Sequence, residues 1–200
     1  MLRRSVVSFL FLSLAGCSIL PERPPLKFYG LILDTPPKAS TANRLNASLV
    51  INPPEVASPF ESTKFFILGK DERFYASDIN RFVSQPSDLI GNSLRSWLGA
   101  VGPWKTILPP NSINVGNYQM TVFLQSFYAD TRGDTGFTNI SLEITVVQTK
   151  DGKLAFQKMF NQKTPIKEET AAALIQSYRE GLTTIYTELT NDLNASFLKR

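Results

Sequence analysis

The chain has 200 residues, 21 of them basic and 17 acidic, with a single cysteine and no histidine. Without histidine the commonest general base and metal ligand is missing, and Ser-His-Asp catalysis, Cys-His catalysis and imidazole zinc sites go with it. No clustered Lys/Arg face with interleaved aromatics is visible, so nucleic acid is not an expected partner, and a non-enzymatic protein with no cofactor or metal is the expectation.

The first sixteen residues have the three-part layout of a secretory signal. Arg3 and Arg4 form a charged start, Val6 to Ala15 an apolar run broken only by Ser8 and Ser13, and Ala15-Gly16 a small-residue cut site. The apolar run is about ten residues, half of the roughly 20 that a spanning helix requires. Leu14-Ala15-Gly16-Cys17 resembles a bacterial lipobox. That resemblance implies alkylation of the Cys17 thiol by diacylglycerol, cleavage between Gly16 and Cys17, and acylation of the new amino terminus. Each buried CH₂ of an acyl chain adds about 0.8 kcal/mol, so two or more chains hold a protein stably on a bilayer. Ser18, in place of the Asp that usually retains Gram-negative lipoproteins in the inner membrane, favours the periplasmic face of the outer membrane. Cleavage would remove Arg3 and Arg4 and leave 19 basic against 17 acidic residues, a charge of only +2.

Pro21, Pro24 and Pro25 make residues 17–27 a Pro-rich tether. At about 3.1 Å per residue it reaches roughly 30 Å. Residues 28–200 form the expected domain. Phe28 to Leu33 reads as the first strand and Leu45 to Ile51 as the second, with the polar stretch from Pro36 to Asn43 as a loop between them. Residues 55–62 read as loop or a single turn. Lys64 to Leu68 and Arg73 to Ser77 form a hairpin around Gly69-Lys70-Asp71-Glu72. A helix follows, with Pro86 at its first position after a Ser84 or Gln85 cap. Its apolar stripe is Leu89, Ile90, Leu94, Trp97, Leu98 and Val101, and Gly102-Pro103 ends it.

Trp104 to Leu108 is a short strand. Tyr118 to Tyr128 puts Tyr118, Met120, Val122, Leu124 and Tyr128 on one face, although Phe123 and Phe127 interrupt the polar face. Ile140, Leu142, Ile144 and Val146 alternate with polar residues, Asp151-Gly152 is a two-residue hairpin signal, and Leu154, Phe156 and Phe160 share one face of the return strand. These three long strands should form an antiparallel meander. The chain ends in a helix from Glu168 to Leu198, whose stripe includes Leu174, Tyr178, Leu182, Ile185, Tyr186, Leu189, Leu193 and Phe197. Glu168-Glu169 in the first turn and Lys199-Arg200 at the end would suit its dipole. The expected class is therefore α+β: a mixed, largely antiparallel sheet packed against two main helices, in a single domain.

The most site-like stretch outside the termini is the polar loop Asp130-Thr131-Arg132-Gly133-Asp134-Thr135-Gly136. It lacks the ligand spacing of a calcium loop, which leaves an exposed hairpin loop whose Asp130, Arg132 and Asp134 are candidates for partner contact. Phe74-Tyr75-Ala76-Ser77-Asp78-Ile79-Asn80-Arg81-Phe82 with Pro86, running on to Trp97-Leu98, resembles the core of the ABC-type transport auxiliary lipoproteins. Tyr128-Ala129-Asp130 and Asn191-Asp192-Leu193 are similar to further positions of that family. The resemblance implies a non-catalytic outer-membrane docking component of an MCE (mammalian cell entry) lipid transport system. Its implied partner is the periplasmic MCE-domain protein, with a ring of identical subunits as the implied assembly. The alternative is a periplasmic carrier that holds lipid or another hydrophobic ligand between the Tyr118–Tyr128 face and the last helix.

Overall fold

The computed structural model describes residues 24–34, 36, 44–110, 112 and 115–198. Gly16 and Cys17 lie outside the described residues, as do most of the tether and Lys199-Arg200. Among the described residues nine strands form one mixed sheet and two helices cover one of its faces.

The sheet is built around β7 (Tyr118–Asp130). Along one edge β7 pairs antiparallel with β8 (Phe137–Gln148), from Tyr118↔Gln148 to Asp130↔Phe137, and β8 pairs antiparallel with β9 (Leu154–Pro165). This is the expected meander. The other edge of β7 is shared by three short parallel strands. β2 (Leu45–Ile51) takes Tyr118 to Met120, β3 (Glu55–Val56) takes Phe123 and Leu124, and β4 (Lys64–Leu68) takes Ala129 and Asp130. β2 continues the sheet to β6 (Trp104–Leu108). β4 continues it to β5 (Phe74–Phe82), which pairs with β1 (Lys27–Tyr29).

Three boundaries differ from the sequence expectation. The first strand ends at Tyr29 rather than Leu33, because Leu31 turns into the core and contributes to the helix side. Residues 55 and 56, expected as loop, form the two-residue β3, too short for alternation to reveal. The return arm of the hairpin runs on to Phe82 through a bulge, for Lys64 opposes Arg81 while Phe66 opposes Ala76. Ser77 stabilises the bulge by accepting the Asn80 N–H at 3.0 Å.

A second bulge decides the faces of β7. The register passes from Leu124↔Leu142 to Ser126↔Ser141, which leaves Gln125 as the extra residue. A one-residue insertion reverses the alternation. Met120, Val122 and Leu124 point to the helices before it, and Phe127 and Ala129 after it. Tyr128 therefore faces away from the helices, contrary to the simple alternation. A shift at Val146 and Val147 likewise leaves Leu154 exposed instead of aligned with Phe156 and Phe160.

Helix α1 (Pro86–Val101) begins after Gln85 with Pro86 at its first position and buries Ile90, Leu94, Trp97 and Leu98. Its last carbonyls are met from outside: Arg44 Nη1 donates to Gly99 O at 2.9 Å and Nη2 donates to Ala100 O. Helix α2 (Ala171–Leu198) starts three residues later than expected. Thr170 caps it, accepting the Ala173 N–H at 3.1 Å, so Glu168 and Glu169 precede the helix rather than occupy its first turn. Its 28 residues span about 42 Å. All eight stripe residues from Leu174 to Phe197 are buried. At Gly181 an added Cβ would come within 2.9 Å of Thr164 Oγ1 and 3.0 Å of Ile140 Cδ1, which sets how closely the helix lies on the sheet.

The region between the inner face of β7 and α2 is filled. Tyr178 is fully buried, with ring centroids 4.3 Å from Phe127 and 5.8 Å from Phe82, and its hydroxyl has no hydrogen-bond partner among the described residues. Trp97 donates its indole N–H to Thr190 Oγ1 at 3.1 Å and stands 5.7 Å from the Tyr186 ring, joining the two helices.

Two stability measurements follow from this packing. Trp97→Ala should cost about 3–5 kcal/mol, the usual range for a buried large aromatic, read as a lowered melting temperature. Tyr178→Phe should raise unfolding stability by about 1 kcal/mol, because it deletes an unpaired buried hydroxyl while keeping the ring. A loss of similar size in chemical denaturation would show instead that a buried water serves that hydroxyl.

Candidate docking surface

Asp130 and Arg132 meet at the end of β7. The Arg132 Nε donates to Asp130 Oδ1 at 2.9 Å and Nη2 to Oδ2 at 2.8 Å, a bidentate pair, and the Arg132 backbone N–H adds a third bond to Oδ1 at 3.2 Å. The remaining nitrogen, Nη1, donates to Glu72 Oε2 at 2.8 Å. Glu72 sits at positive φ in the turn between β4 and β5. The guanidinium beside Asp130 holds its carboxyl below the usual carboxylate range, and the two carboxylates push the Arg132 pKa up. Thr131 ties the same loop to β4, donating both its N–H (2.9 Å) and its hydroxyl (3.1 Å) to Leu68 O. Asp134 is exposed and makes no hydrogen bond or ion pair among the described residues. Two of the three loop candidates are thus brought together, and Glu72, separated by about sixty residues, completes the group.

Next to these loops is an aromatic cluster on the sheet face opposite the helices. Phe60 stacks on Tyr128 at 5.8 Å, and Phe74 meets both edge-on, at 6.1 and 5.1 Å. Phe74 and Tyr75 are each about half exposed. The Tyr75 hydroxyl donates to Asp71 Oδ2, and that carboxylate raises the phenol pKa. The hairpin turn and the β7–β8 loop therefore form one rim, charged at Glu72, Asp130 and Arg132 and aromatic at Phe74 and Tyr75. Periodicity could not reveal it, since it depends on the bulge at Gln125 and on two distant turns.

The remaining singled-out residues are structural. Phe82 is buried against Phe65 (4.5 Å) and Phe127 (5.3 Å), and Arg81 donates to the backbone carbonyls of Ser77 and Asp78. Asp192 accepts from Lys158 Nζ at 2.7 Å, linking α2 to β9. Two surface clefts, of about 300 and 260 Å³, lie at the β9–α2 junction and between residues 31–34 with Pro36 and α1. Neither lies between β7 and α2. No group of three His, Cys, Asp or Glu side chains gathers into a metal site among the described residues, and no helix there is long and apolar enough to cross a membrane.

Protein XCC0632 of Xanthomonas campestris shares this fold at a TM-score of 0.70 and 15% identity, over 82% of this chain and 92% of that one. The hypothetical protein CT253 of Chlamydia trachomatis is similar at a TM-score of 0.56 and 4% identity, over 76% of this chain and 98% of its own. No curated protein matches the sequence. The family model of the ABC-type transport auxiliary lipoprotein component matches residues 29–190, from the last residue of β1 through the rest of the sheet and most of α2. The chain belongs to the family of ABC-type transport auxiliary lipoprotein components.

Proposed function

We propose that this auxiliary lipoprotein acts as a docking piece of an MCE-type lipid transporter, on the periplasmic face of the outer membrane. Residues 1–16 are the signal, Cys17 carries the lipid, residues 17–27 form the tether, and residues 28–200 form the docking domain. The observation that carries this reading is the family match over residues 29–190, joined to a lipobox-like Leu14-Ala15-Gly16-Cys17 directly ahead of it. The partner in this reading is the MCE-domain periplasmic protein, gripped without catalysis by the rim of Glu72, Asp130 and Arg132, with Asp134 beside it and Phe74 at its centre. Charged groups around an exposed aromatic are the composition of an interface hot spot. A ring of identical subunits would multiply such contacts. The filled space between β7 and α2 supports an adaptor over a lipid carrier, which needs a cavity of several hundred Å³ there.

Crosslinking and pull-down from membranes test the partner: recovery of an MCE-domain protein is expected. Genes for an ATPase, a permease and an MCE-domain protein beside this one would agree with it. Recovery of no such protein, with no such genes nearby, overturns the adaptor. Cys17→Ser should abolish membrane fractionation and leave the melting temperature unchanged, because among the described residues every strand and helix begins at Lys27 or later. An unchanged membrane fraction would refute acylation. Arg132→Glu should weaken partner capture about tenfold or more while shifting the melting temperature by only a few degrees, since exposed ion pairs contribute little to folding. Unchanged capture would remove the rim from the interface.

A further inference from the structure

A second surface lies at the other end of the β4–β5 hairpin. In β1, Tyr29 is in register with Phe82 and packs on Phe65 at 5.5 Å, so both point to the helix side. Phe28 and its register partner Arg81 must then point to the opposite face, and Leu26 and Val83 stand immediately outside the ends of β1 and β5. Leu26, Phe28 and Val83 are 52%, 63% and 61% exposed. Single exposed apolar residues are ordinary. Three together on the strand pair at the end of a sheet are a surface that requires a cover.

We infer that this face rests on the lipid surface to which the chain is anchored, an inference that depends on the reading of Cys17 as the lipid attachment site. Two observations select lipid as the occupant. The first is covalent reach. Leu26 is nine residue steps from Cys17, and a chain extends by at most about 3.3–3.6 Å per residue, so the face lies within roughly 30 Å of the anchor. A domain of this length is about 40 Å across. The tether is thus shorter than the domain is wide, and this face is the part it draws towards the bilayer. The second is charge. Lys64 and Arg81, in register across β4 and β5, share the face of Phe28, Lys27 is exposed next to it on the edge strand, and none of the three is ion-paired among the described residues. Arg81 is held in place by carbonyl oxygens, which orient its charge without neutralising it. Asp78 is the carboxylate nearest in the β5 bulge. Apolar side chains bordered by cations match the boundary between acyl chains and anionic headgroups.

The test uses the full mature chain, lipidated and reconstituted into vesicles of phosphatidylethanolamine and phosphatidylglycerol. With Cys17 acylated, Phe28→Cys carries the only free thiol, and a second protein carries Val83→Cys. Each is labelled with an environment-sensitive fluorophore, and Lys70→Cys, in the turn at the far end of the hairpin, is the control. Labels at 28 and 83 should shift to shorter wavelength and be quenched several-fold more than the label at 70 by nitroxide-bearing lipid. Replacing phosphatidylglycerol with phosphatidylcholine should reduce that quenching. Equal quenching at 28, 83 and 70 on protein that floats with the vesicles overturns the lipid contact and leaves the anchor standing. Protein that does not float overturns the anchor and this inference together. Protection of 28 that rises with protein concentration in place of quenching by lipid, or that requires an added MCE-domain protein, assigns the face to a second copy or to the transporter and overturns the inference equally.

Discussion

The bulge at Gln125 gives the two halves of β7 opposite facing, and the rest of the domain is arranged around that reversal. Before it, Met120, Val122 and Leu124 are buried in the core; after it, Phe127 and Ala129 are, with Phe127 against Tyr178 of α2. Had the alternation continued, Phe127 would leave the stack with Tyr178 and Phe82, and Tyr128 would be driven into the helices. The extra residue resolves both problems at once and increases the local twist, as bulges do. It also releases Tyr128 to the outer face, where Phe60 and Phe74 close over it. The aromatic part of the rim is therefore a direct product of the same residue that completes the core.

The helix layer is held by apolar area, and its register is set by a few buried polar contacts. Thr138 and Ser177 share a hydrogen bond at 2.7 Å, and Ser177 also donates to Thr164 O at 2.9 Å. An apolar stripe alone would let α2 slide by a turn, whereas these hydroxyls are satisfied in one position only. Gly181 lies one turn further along, where the helix backbone approaches Thr164 and Ile140 most closely. Trp97 to Thr190 and Ser93 to Tyr186, at 3.1 and 2.9 Å, fix α1 against α2 in the same manner.

Strong periodicity made much of this legible. The stripe of α2, the Pro86 start of α1 and the alternation of β8 all stand where the sequence places them, because each is decided by neighbours within a few residues, whereas the connection at Asp151-Gly152 is the five residues 149–153 rather than a two-residue hairpin. What periodicity could not supply depends on distant partners. β3 is a strand only because β7 offers it an edge, and Leu31 leaves the sheet only because the helix layer has room for it. The bulges in β5 and β7 insert residues whose identity, such as Gln125, carries no local signature. The same holds for the rim: Asp130 and Arg132 are visible as a polar loop, but Glu72 joins them only through the pairing of β4 with β7. Asp134, equally polar and equally close in sequence, lies outside the ion-paired group.

The two ends of the β4–β5 hairpin differ in chemistry. One end carries Leu26, Phe28 and Val83 among unpaired cations, beside the point where the tether enters the domain. The other carries an ion-paired cluster and two half-exposed aromatics. Along β4 alone the two are separated by five residues, or roughly 15 Å of extended strand. A lipid-anchored adaptor needs such polarity, since a docking rim on the membrane side would be covered by the surface that holds it. The Arg132 guanidinium holds the Asp130 carboxyl below the usual carboxylate range, so this ion pair persists into mildly acidic pH. In the proposed adaptor, recognition would then be set by the position and shape of the rim, with position supplied by the proposed tether and a stiff two-stranded arm.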